Sequence, residues 1–540
     1  MSVLDFIKRN SFALIITVIF SIWMVYLIAT SLSADRIVQF IDALPSPNPL
    51  INPEDVSGQY ASVIPVSRYF IEPFVGLTFV FTFNSDPTEI LVLFIVLYAI
   101  TRGALLALDN TILNRNGKKE VLFRYIKNTL EFVVKWESIL FLLGALILVA
   151  GLFIVGFIFV ANLFCIFFHF AGILMVLLLI GKATYNAVIY FRPNVALKVK
   201  KLRAKKPVTK GLHRVKRELF YFWTAFLLIF TLNFFFLNIK FPTQQIVATP
   251  DLGPNEILCD FHVHTTMSDG HLTPEQRVLW YMEQGIDVAV FTDHHHPYGA
   301  LRAKTFVEEN NLDFTVLIGQ EFTDDPEDLH LNLFGPEEAI IPDNYYFEGL
   351  YNPEGMNVSQ AINYTKQLGG YVIVNHYSRN ASAPFTYEQL VSWGVDGFEI
   401  GDGKGKYREI RDFILDYNIA NPNNTLIALD GTDQHLNSEL NTFVRLNLTD
   451  PTNRTLDHIM ENLRRNNHSV INIKTPNYVD ADIDEFKKLY NFHNYLANLD
   501  AFQALSWIIW SFIGYGLVMA VIWRVKKSNL EKMEGNLEVI

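Results

Sequence analysis

Six stretches of this chain stay apolar for about twenty residues, which leaves them few possible fates. A helix rises ~1.5 Å per residue, so crossing ~30 Å of hydrocarbon takes roughly 20 apolar residues. Runs of that length lie at about 12–31, 89–108, 138–160, 162–186, 219–238 and 503–523. The apolar stretch from Ile139 to Ile180 is about twice what one helix needs, and reads as a tight hairpin of two. Arg102 interrupts the second run, where it can snorkel to an interface or pair inside a bundle. A shorter stretch, 70–83, carries Glu72 and Pro73 and reads as interfacial or re-entrant. The first run follows Lys8 and Arg9 as a signal peptide would. Its apolar core is longer than a usual h-region and no small-residue cleavage pattern is obvious, so it is expected to remain as an anchor.

Lysine and arginine set the expected orientation. They concentrate in 109–137, in 190–217, and in the RVKK that begins the tail at 524–527. Six crossings put all three segments and the amino terminus on the cytoplasmic side. The long segment between the fifth and sixth runs then lies outside. Seven N-x-S/T sequons, at Asn357, Asn363, Asn380, Asn423, Asn447, Asn453 and Asn467, all fall in that segment, which fits an exported face. The basic run at 190–217 is read as a topology signal rather than as a dedicated lipid or nucleic-acid site.

That segment differs in composition from the rest. Residues 251–502 hold 39 Asp and Glu against 16 Lys and Arg, a balance of −23; 16 acids and 28 bases remain elsewhere, giving +12. Of 14 histidines, only His169 and His213 lie outside it. The expected organisation is therefore a membrane region of five helices over 1–240, an α/β domain over 255–480 and a linker over 481–502, then a final span at 503–523 and a cytoplasmic tail at 524–540. Two cysteines, Cys165 and Cys259, make no disulfide framework, and no C-x-x-C suggests a zinc ribbon. The domain's acidity argues against tight sequence-independent binding of long nucleic acid, though not against a short end entering a pocket.

From Ile257 onward the pattern becomes short β-rich segments separated by helical ones. Candidate strands are 257–264, 287–294, 314–322, 329–335, 371–376, 396–401 and 425–431. The stretch TPEQRVLWYMEQG (273–285) reads as a helix opened by a Thr cap and Pro at its first position. Strands alternating with helices indicate a parallel sheet, and seven strands with histidines at their ends suggest a barrel. In such barrels chemistry collects at the carboxyl ends of the strands.

Ligand-type side chains fall at those ends. His262 and His264 are two apart on one strand and project from the same face. Asp269 follows in an SDG turn; His294 ends the second strand and Glu321 the third. His330 opens the fourth, His376 ends the fifth, and Asp433 and His435 follow the seventh. Six imidazoles and three carboxylates suit zinc, manganese or iron(II) rather than calcium. Nine such groups exceed one ion's needs, so two or three divalent ions bridged by a carboxylate are expected. His295, His296 and His271 are read as outside the ligand set, and Asp293 either orients His294 or caps the following turn.

The succession DFHVHTTMSDG, FTDHHH, GQEF, HLNLFG, NHYSR and DGTDQH resembles the PHP (polymerase and histidinol phosphatase) superfamily over about 220 of the 540 residues. The resemblance implies a distorted (β/α)7 barrel beside the α-helical transmembrane bundle, a di- or trinuclear centre and phosphoester hydrolysis. By that resemblance one ion takes His262, His264, Glu321 and Asp433. A second shares Glu321 and takes His330 and His376; a third takes Asp269, His294 and His435. The aspartate of SDG resembles the branch acting on nucleotides and oligonucleotides, whereas NHYSR departs from a common HP pair. Arg379 could hold a substrate phosphate in bidentate fashion or pair with a surface acid, with Lys404 and Lys406 as weaker candidates. No Ser or Cys motif suggests a covalent nucleophile. The expected partners are a small phosphorylated substrate or nucleic-acid end and the lipid bilayer. Rival readings are a phosphatase of membrane head groups or phosphoproteins, and a membrane sensor that binds metal or phosphate without turnover.

Overall fold

The computed structural model describes residues 3–31, 38–45, 52–81, 181, 239–324, 329–336, 356–377, 385–401, 408–474 and 484–537. The apolar runs at 89–108, 138–160 and 219–238, nearly all of 162–186, both internal basic segments, and Arg102, Cys165, Arg379, Asn380, Lys404 and Lys406 lie outside the described residues.

The first apolar run forms the helix α1 (Val3–Ser31). After it come β1 (Gln39–Asp42), β2 (Glu54–Asp55), β3 (Tyr60–Val63), and the helices α2 (Val66–Tyr69) and α3 (Glu72–Phe81). β4 (Gln245–Ala248) then leads into the acidic region. There the seven expected strands are β5 (Glu256–Asp260), β6 (Val288–Phe291), β7 (Thr315–Asp324), β8 (Leu329–Phe334), β9 (Tyr371–Val374), β10 (Gly397–Glu399) and β11 (Ile427–Leu429). Between them lie α4 (Pro274–Gln284), α5 (Tyr298–Asn310), α6 (Val358–Gln367), α7 (Tyr387–Trp393) and α8 (Arg408–Ala420). β12 (Thr442–Asn447), α9 (Leu456–Arg464), β13 (His468–Lys474), α10 (Asp484–Ala497) and α11 (Ala501–Leu537) complete the described chain.

Local chemistry accounts for these elements. Thr273 caps α4 by accepting from Gln276 N at 3.2 Å, while the Gln276 side chain accepts from Thr273 N at 3.0 Å; Gly285, at φ 84°, ends the helix in the left-handed region. Alternation divides the strands between two cores. Ile257 and Cys259 of β5 and Val288 and Val290 of β6 enter one cluster, whereas Leu258, Ala289 and Phe291 enter the other.

The strands from β5 to β11 lie side by side in chain order within an eleven-stranded sheet. It is not uniformly parallel as expected: β8 runs antiparallel to both β7 and β9. β7 and β8 are joined by only residues 325–328, too few for a crossover, so a hairpin is forced. The reversal explains how His330, at the start of its strand, pairs with Thr323 near the end of β7. Beyond the outer strands the sheet bends back. Asp433 N donates to His262 O at 2.9 Å, and Val263 bridges Gln434 in parallel. A Cβ on Gly431 would lie 2.2 Å from His262 Cβ, so only glycine lets the two strand exits approach this closely.

The expected domain limits differ from the structure in two respects. β12 and β13 extend the sheet past β5, and two strands from the segment expected to be membrane region continue it, β1 antiparallel to β13 and β2 antiparallel to β1. β3 pairs with β4 and places Tyr60 against Phe443 at 5.3 Å. The 481–502 segment, expected as a linker, is largely α10, because Tyr495, Leu496 and Leu499 give it an apolar face that packs on Leu27 and Trp507. The 70–83 stretch includes α3, which packs on α10 and α11. Among the described residues two helical stretches, Ala13–Ser31 and Ala501–Ala520, are long and apolar enough to cross a membrane by length and composition. The helix holding the second continues through the expected tail to Leu537.

Candidate metal centre

All nine residues named from the sequence as ligands come together at the exits of the strands. Three groups of donor atoms each lie within 4.8 Å of one another: His264, Asp269, His294 and His435; His262, His264, Glu321 and Asp433; and Glu321, His330 and His376. The first group includes His264 beside the three residues expected there. Arg379 lies outside the described residues.

Glu321 is the hub. Its Oε1 lies 2.8 Å from His330 Nδ1, 3.5 Å from His262 Nε2 and 3.6 Å from His376 Nε2. Asp433 Oδ1 approaches the Nε2 atoms of His264 and His262 at 3.2 and 3.3 Å, and Asp269 Oδ1 approaches His435 Nε2 at 3.2 Å. Burial alone would raise the Glu321 carboxyl, but the charges of His262 and His294 outweigh it and hold it well below the usual range. For Asp433, too, burial raises the carboxyl, and His262, His264 and His435 pull it far down. Burial draws His435 downward, but Asp269 and Asp433 together draw it upward, to about 9. These sites therefore hold ionised carboxylates among imidazoles.

Two details fit a cation better than hydrogen bonds alone. His262 Nε2 and His264 Nε2 face each other at 3.1 Å, where two protonated nitrogens would repel. Glu321 Oε2 lies 3.3 Å from His264 Nε2 and 3.0 Å from His294 Nδ1, yet is buried without a hydrogen-bond partner. Buried polar atoms are rarely left so. Divalent ions suit this donor set. The backbones of His376 and Asp433 sit at φ 25° and 49°, in the left-handed region that costs non-glycine residues energy and is found where the surroundings over-determine it.

The supporting residues are the part that sequence reasoning missed. Glu399, buried on β10, places Oε1 2.8 Å from His262 Nδ1 and accepts from His376 N at 2.9 Å through Oε2. A carboxylate only accepts, so Nδ1 carries a proton, which leaves Nε2 as the nitrogen that would face a cation in the centre. Asn375 donates to Glu321 Oε1 at 2.9 Å, and Thr323 Oγ1 lies 2.8 Å from His294 Nδ1. The signal for Glu399 was a charged residue inside the apolar strand DGFEIG.

Asp293 neither orients His294 nor caps the turn after it. It accepts from Thr265 N and Ser268 Oγ, both at 2.7 Å, and so fixes the turn that leads to Asp269. His295 and His296 are buried beside the centre but belong to none of the three donor groups. Burial, with His294 beside it, holds His295 neutral. His271, likewise outside the donor groups, is half-buried, and burial and His435 lower it to about 4.

No family model matches this chain, and no curated protein matches it. Among solved structures it is similar to a two-domain protein from Bacteroides vulgatus described as containing a PHP-like metal-dependent phosphoesterase. The identity is 18% and the TM-score 0.33, over 41% of this chain and 66% of that one, just under two thirds of its length. It is also similar to a protein from Bifidobacterium adolescentis described as a metal-dependent phosphoesterase, at 20% identity and TM-score 0.26, over 33% of this chain and 87% of that one. A third is an amidohydrolase from Chromobacterium violaceum with bound sulfate and no metal, at 16% identity and TM-score 0.25, with the same two coverages of 33% and 87%. TM-scores this low establish neither fold nor function for this chain.

Proposed function

We propose that this chain is a membrane-anchored, metal-dependent hydrolase of phosphoester bonds, built on a distorted seven-stranded barrel of the PHP type. The observation that carries the reading is the sharing of two residues. His264 belongs to the first and second donor groups and Glu321 to the second and third, which links nine ligands into one continuous centre for two or three ions. A module that only binds metal needs one closed site, not a chain of partly exposed ones. The barrel reading is supported by the hydrogen bonds that join the exits of β5 and β11.

Divalent ions such as manganese, zinc or iron would supply neutralisation of phosphoryl oxygens and activation of water for in-line attack. The chain's residues hold and orient: Glu321 spans two groups, Asp433 joins His262 to His264, and Glu399 and Asn375 fix the rings and carboxylate around them. Arg379 would clamp the substrate phosphate. Small phosphorylated metabolites, nucleotides or oligonucleotide ends suit a pocket in so acidic a domain better than long nucleic acid.

For the membrane part, α1 and α11 expose Ile15, Val18, Ile19 and Ile22, and Ile509, Phe512, Leu517 and Val518, faces that water disfavours. These two helices are read as spans; the further apolar runs and the basic segments at 109–137, 190–217 and 524–527 in the sequence extend the proposal to six spans with the domain on the outer side. The decisive test uses the full-length protein in detergent, loaded with manganese or zinc, against phosphomonoesters, diesters and short oligonucleotides. Metal-dependent turnover of one class is expected. Stoichiometric metal without turnover of any would replace the enzyme with a sensor. Protease added to intact cells should cut the domain at exposed sites such as residues 249–251 and spare the tail near Lys526; the reverse pattern would put the domain inside.

A further inference from the structure

The two ligands contributed after β11, Asp433 and His435, stand on a loop rather than a strand, so something else must fix them. α4 grips one side of that loop. Arg277 Nη2 donates to the carbonyls of Gln434 and Leu436, both at 2.9 Å, and Trp280 Nε1 donates to Ser438 O at 3.0 Å. The other side is gripped by segments next to the apolar helices. Asn437 donates to Ile239 O, Gln244 Nε2 donates to Leu440 O at 3.1 Å, and Arg68 pairs with Glu439.

Arg68 stands between the loop and the helices. Its guanidinium is buried, and its Nε meets Glu72 Oε2 at 2.8 Å. Glu72, fully buried at the start of α3, also accepts from the Tyr495 hydroxyl on α10. Tyr495 in turn accepts from Trp507 Nε1 on α11 at 3.1 Å. Tyr69 and Phe70 fasten the same turn to α11 and the residue before it, through Asp500 at 2.9 Å and Trp510 Nε1 at 2.7 Å. An unbroken polar path thus runs from the helix α11 through Tyr495, Glu72 and Arg68 to Glu439. From there Gln434, which lies between the two ligands, donates to Glu439 O at 3.2 Å and to Ser438 Oγ at 2.5 Å. That closes the loop into a unit, so a shift of Glu439 is carried to Asp433 and His435.

Burying a guanidinium and its carboxylates costs more than apolar packing would, and such networks hold one arrangement rather than adding stability. We propose that Arg68 is a positioning residue for the ligand loop, and that through it the packing of α3, α10 and α11 sets how tightly the two groups containing Asp433 and His435 hold their ions. The proposal rests on the metal reading of the centre.

The test titrates manganese into full-length protein in detergent, comparing wild type with Arg68→Met, Glu439→Gln and Tyr495→Phe. Tyr495→Phe removes one hydroxyl and touches no loop residue, so it keeps the test open if Arg68→Met does not fold. In each folded variant the manganese sites that draw on Asp433 and His435 should weaken about tenfold, the low end for a lost outer contact, while the site of Glu321, His330 and His376 keeps wild-type affinity. A role in stability alone would leave every site unchanged in the folded variants. Wild-type affinity at all sites in folded Tyr495→Phe and Glu439→Gln would overturn the coupling and leave the metal reading standing. A wild type that takes up no manganese would overturn both.

Discussion

Replacing Glu399 by Gln tests the centre through a residue that never enters the ligand groups. The side chain keeps its shape and loses its charge. Glu399 now accepts from two buried donors at once, His262 Nδ1 at 2.8 Å and His376 N at 2.9 Å, with Asn332 Nδ2 at 3.5 Å from Oε1. An amide has one acceptor oxygen, so one of the two donors must face an NH2 group instead. If that donor is His376 N, a buried N–H goes unpaired, at a cost of about 1–3 kcal/mol. If it is His262, the ring escapes by moving its proton to Nε2, the nitrogen that points at His264 and Glu321. That tautomer cannot bind a cation through Nε2. Either route predicts a loss of about 10- to 100-fold in affinity for the ion beside His262, or roughly 1.4–2.8 kcal/mol. Metal titration, with content checked by elemental analysis, reads it directly. Wild-type affinity and stoichiometry in a folded Glu399→Gln protein would refute the orienting role.

Glu321→Gln should remove at least one ion per chain and abolish hydrolysis, since Glu321 belongs to two donor groups; full metal content with undiminished turnover would defeat the assignment. Asp42 offers a pH test away from the centre. Burial, with the charge of Glu54 adding to it, raises its carboxyl from 3.8 to about 6, so the folded state binds the proton more tightly than the unfolded one. Stability from this group is therefore greatest below pH ~4 and is lost as pH rises to ~6, a penalty of at most about 3 kcal/mol above that window. Asp42→Asn should melt increasingly higher than wild type between pH 4 and 6.5, and a gap that does not vary with pH would contradict this.

What was legible in the sequence follows from short-range chemistry. Strand alternation and the Thr273–Pro274 helix start depend on neighbouring residues alone and appear where the pattern placed them, whereas His262 and His264 meet in one donor group from just beyond the end of β5 rather than on it. The antiparallel β8 was less visible, because an apolar six-residue strand carries no mark of direction. Only the four residues between β7 and β8 gave a hint. Glu399 and Asn375 were hidden because an acid or amide in a strand shows its purpose only when the facing ring is known. The α10 segment passed for a linker because its charged residues mask an apolar stripe at Phe492, Tyr495, Leu496 and Leu499.

The largest miss, the sheet's use of residues before the acidic region, has a direct consequence for any attempt to isolate the domain. β1 and β3 stand far from β4 in sequence, and no local pattern ties Phe40 or Tyr60 to strands some 400 residues later. In the fold these residues are part of the second core. Phe40, Val56, Tyr60 and Ile246 are all buried in it, beside Phe443 and Ile471. Cutting the chain to 255–480 removes all four. At about 1.5–3 kcal/mol for each buried side chain, the loss is roughly 6–12 kcal/mol as an upper bound, comparable to the whole stability of an ordinary domain. The cut also bares β13, whose paired edge would then offer unsatisfied backbone to another molecule. Arg411, buried, would lose the Ala43 carbonyl it donates to at 2.7 Å. The 255–480 fragment should therefore aggregate or melt without cooperativity. Restoring residues 38–63 and 241–254, joined through a flexible linker, should recover a soluble, cooperatively melting domain. A 255–480 fragment that stays monomeric and melts as sharply as the restored domain would show that β1 to β4 merely lie against a core already complete without them.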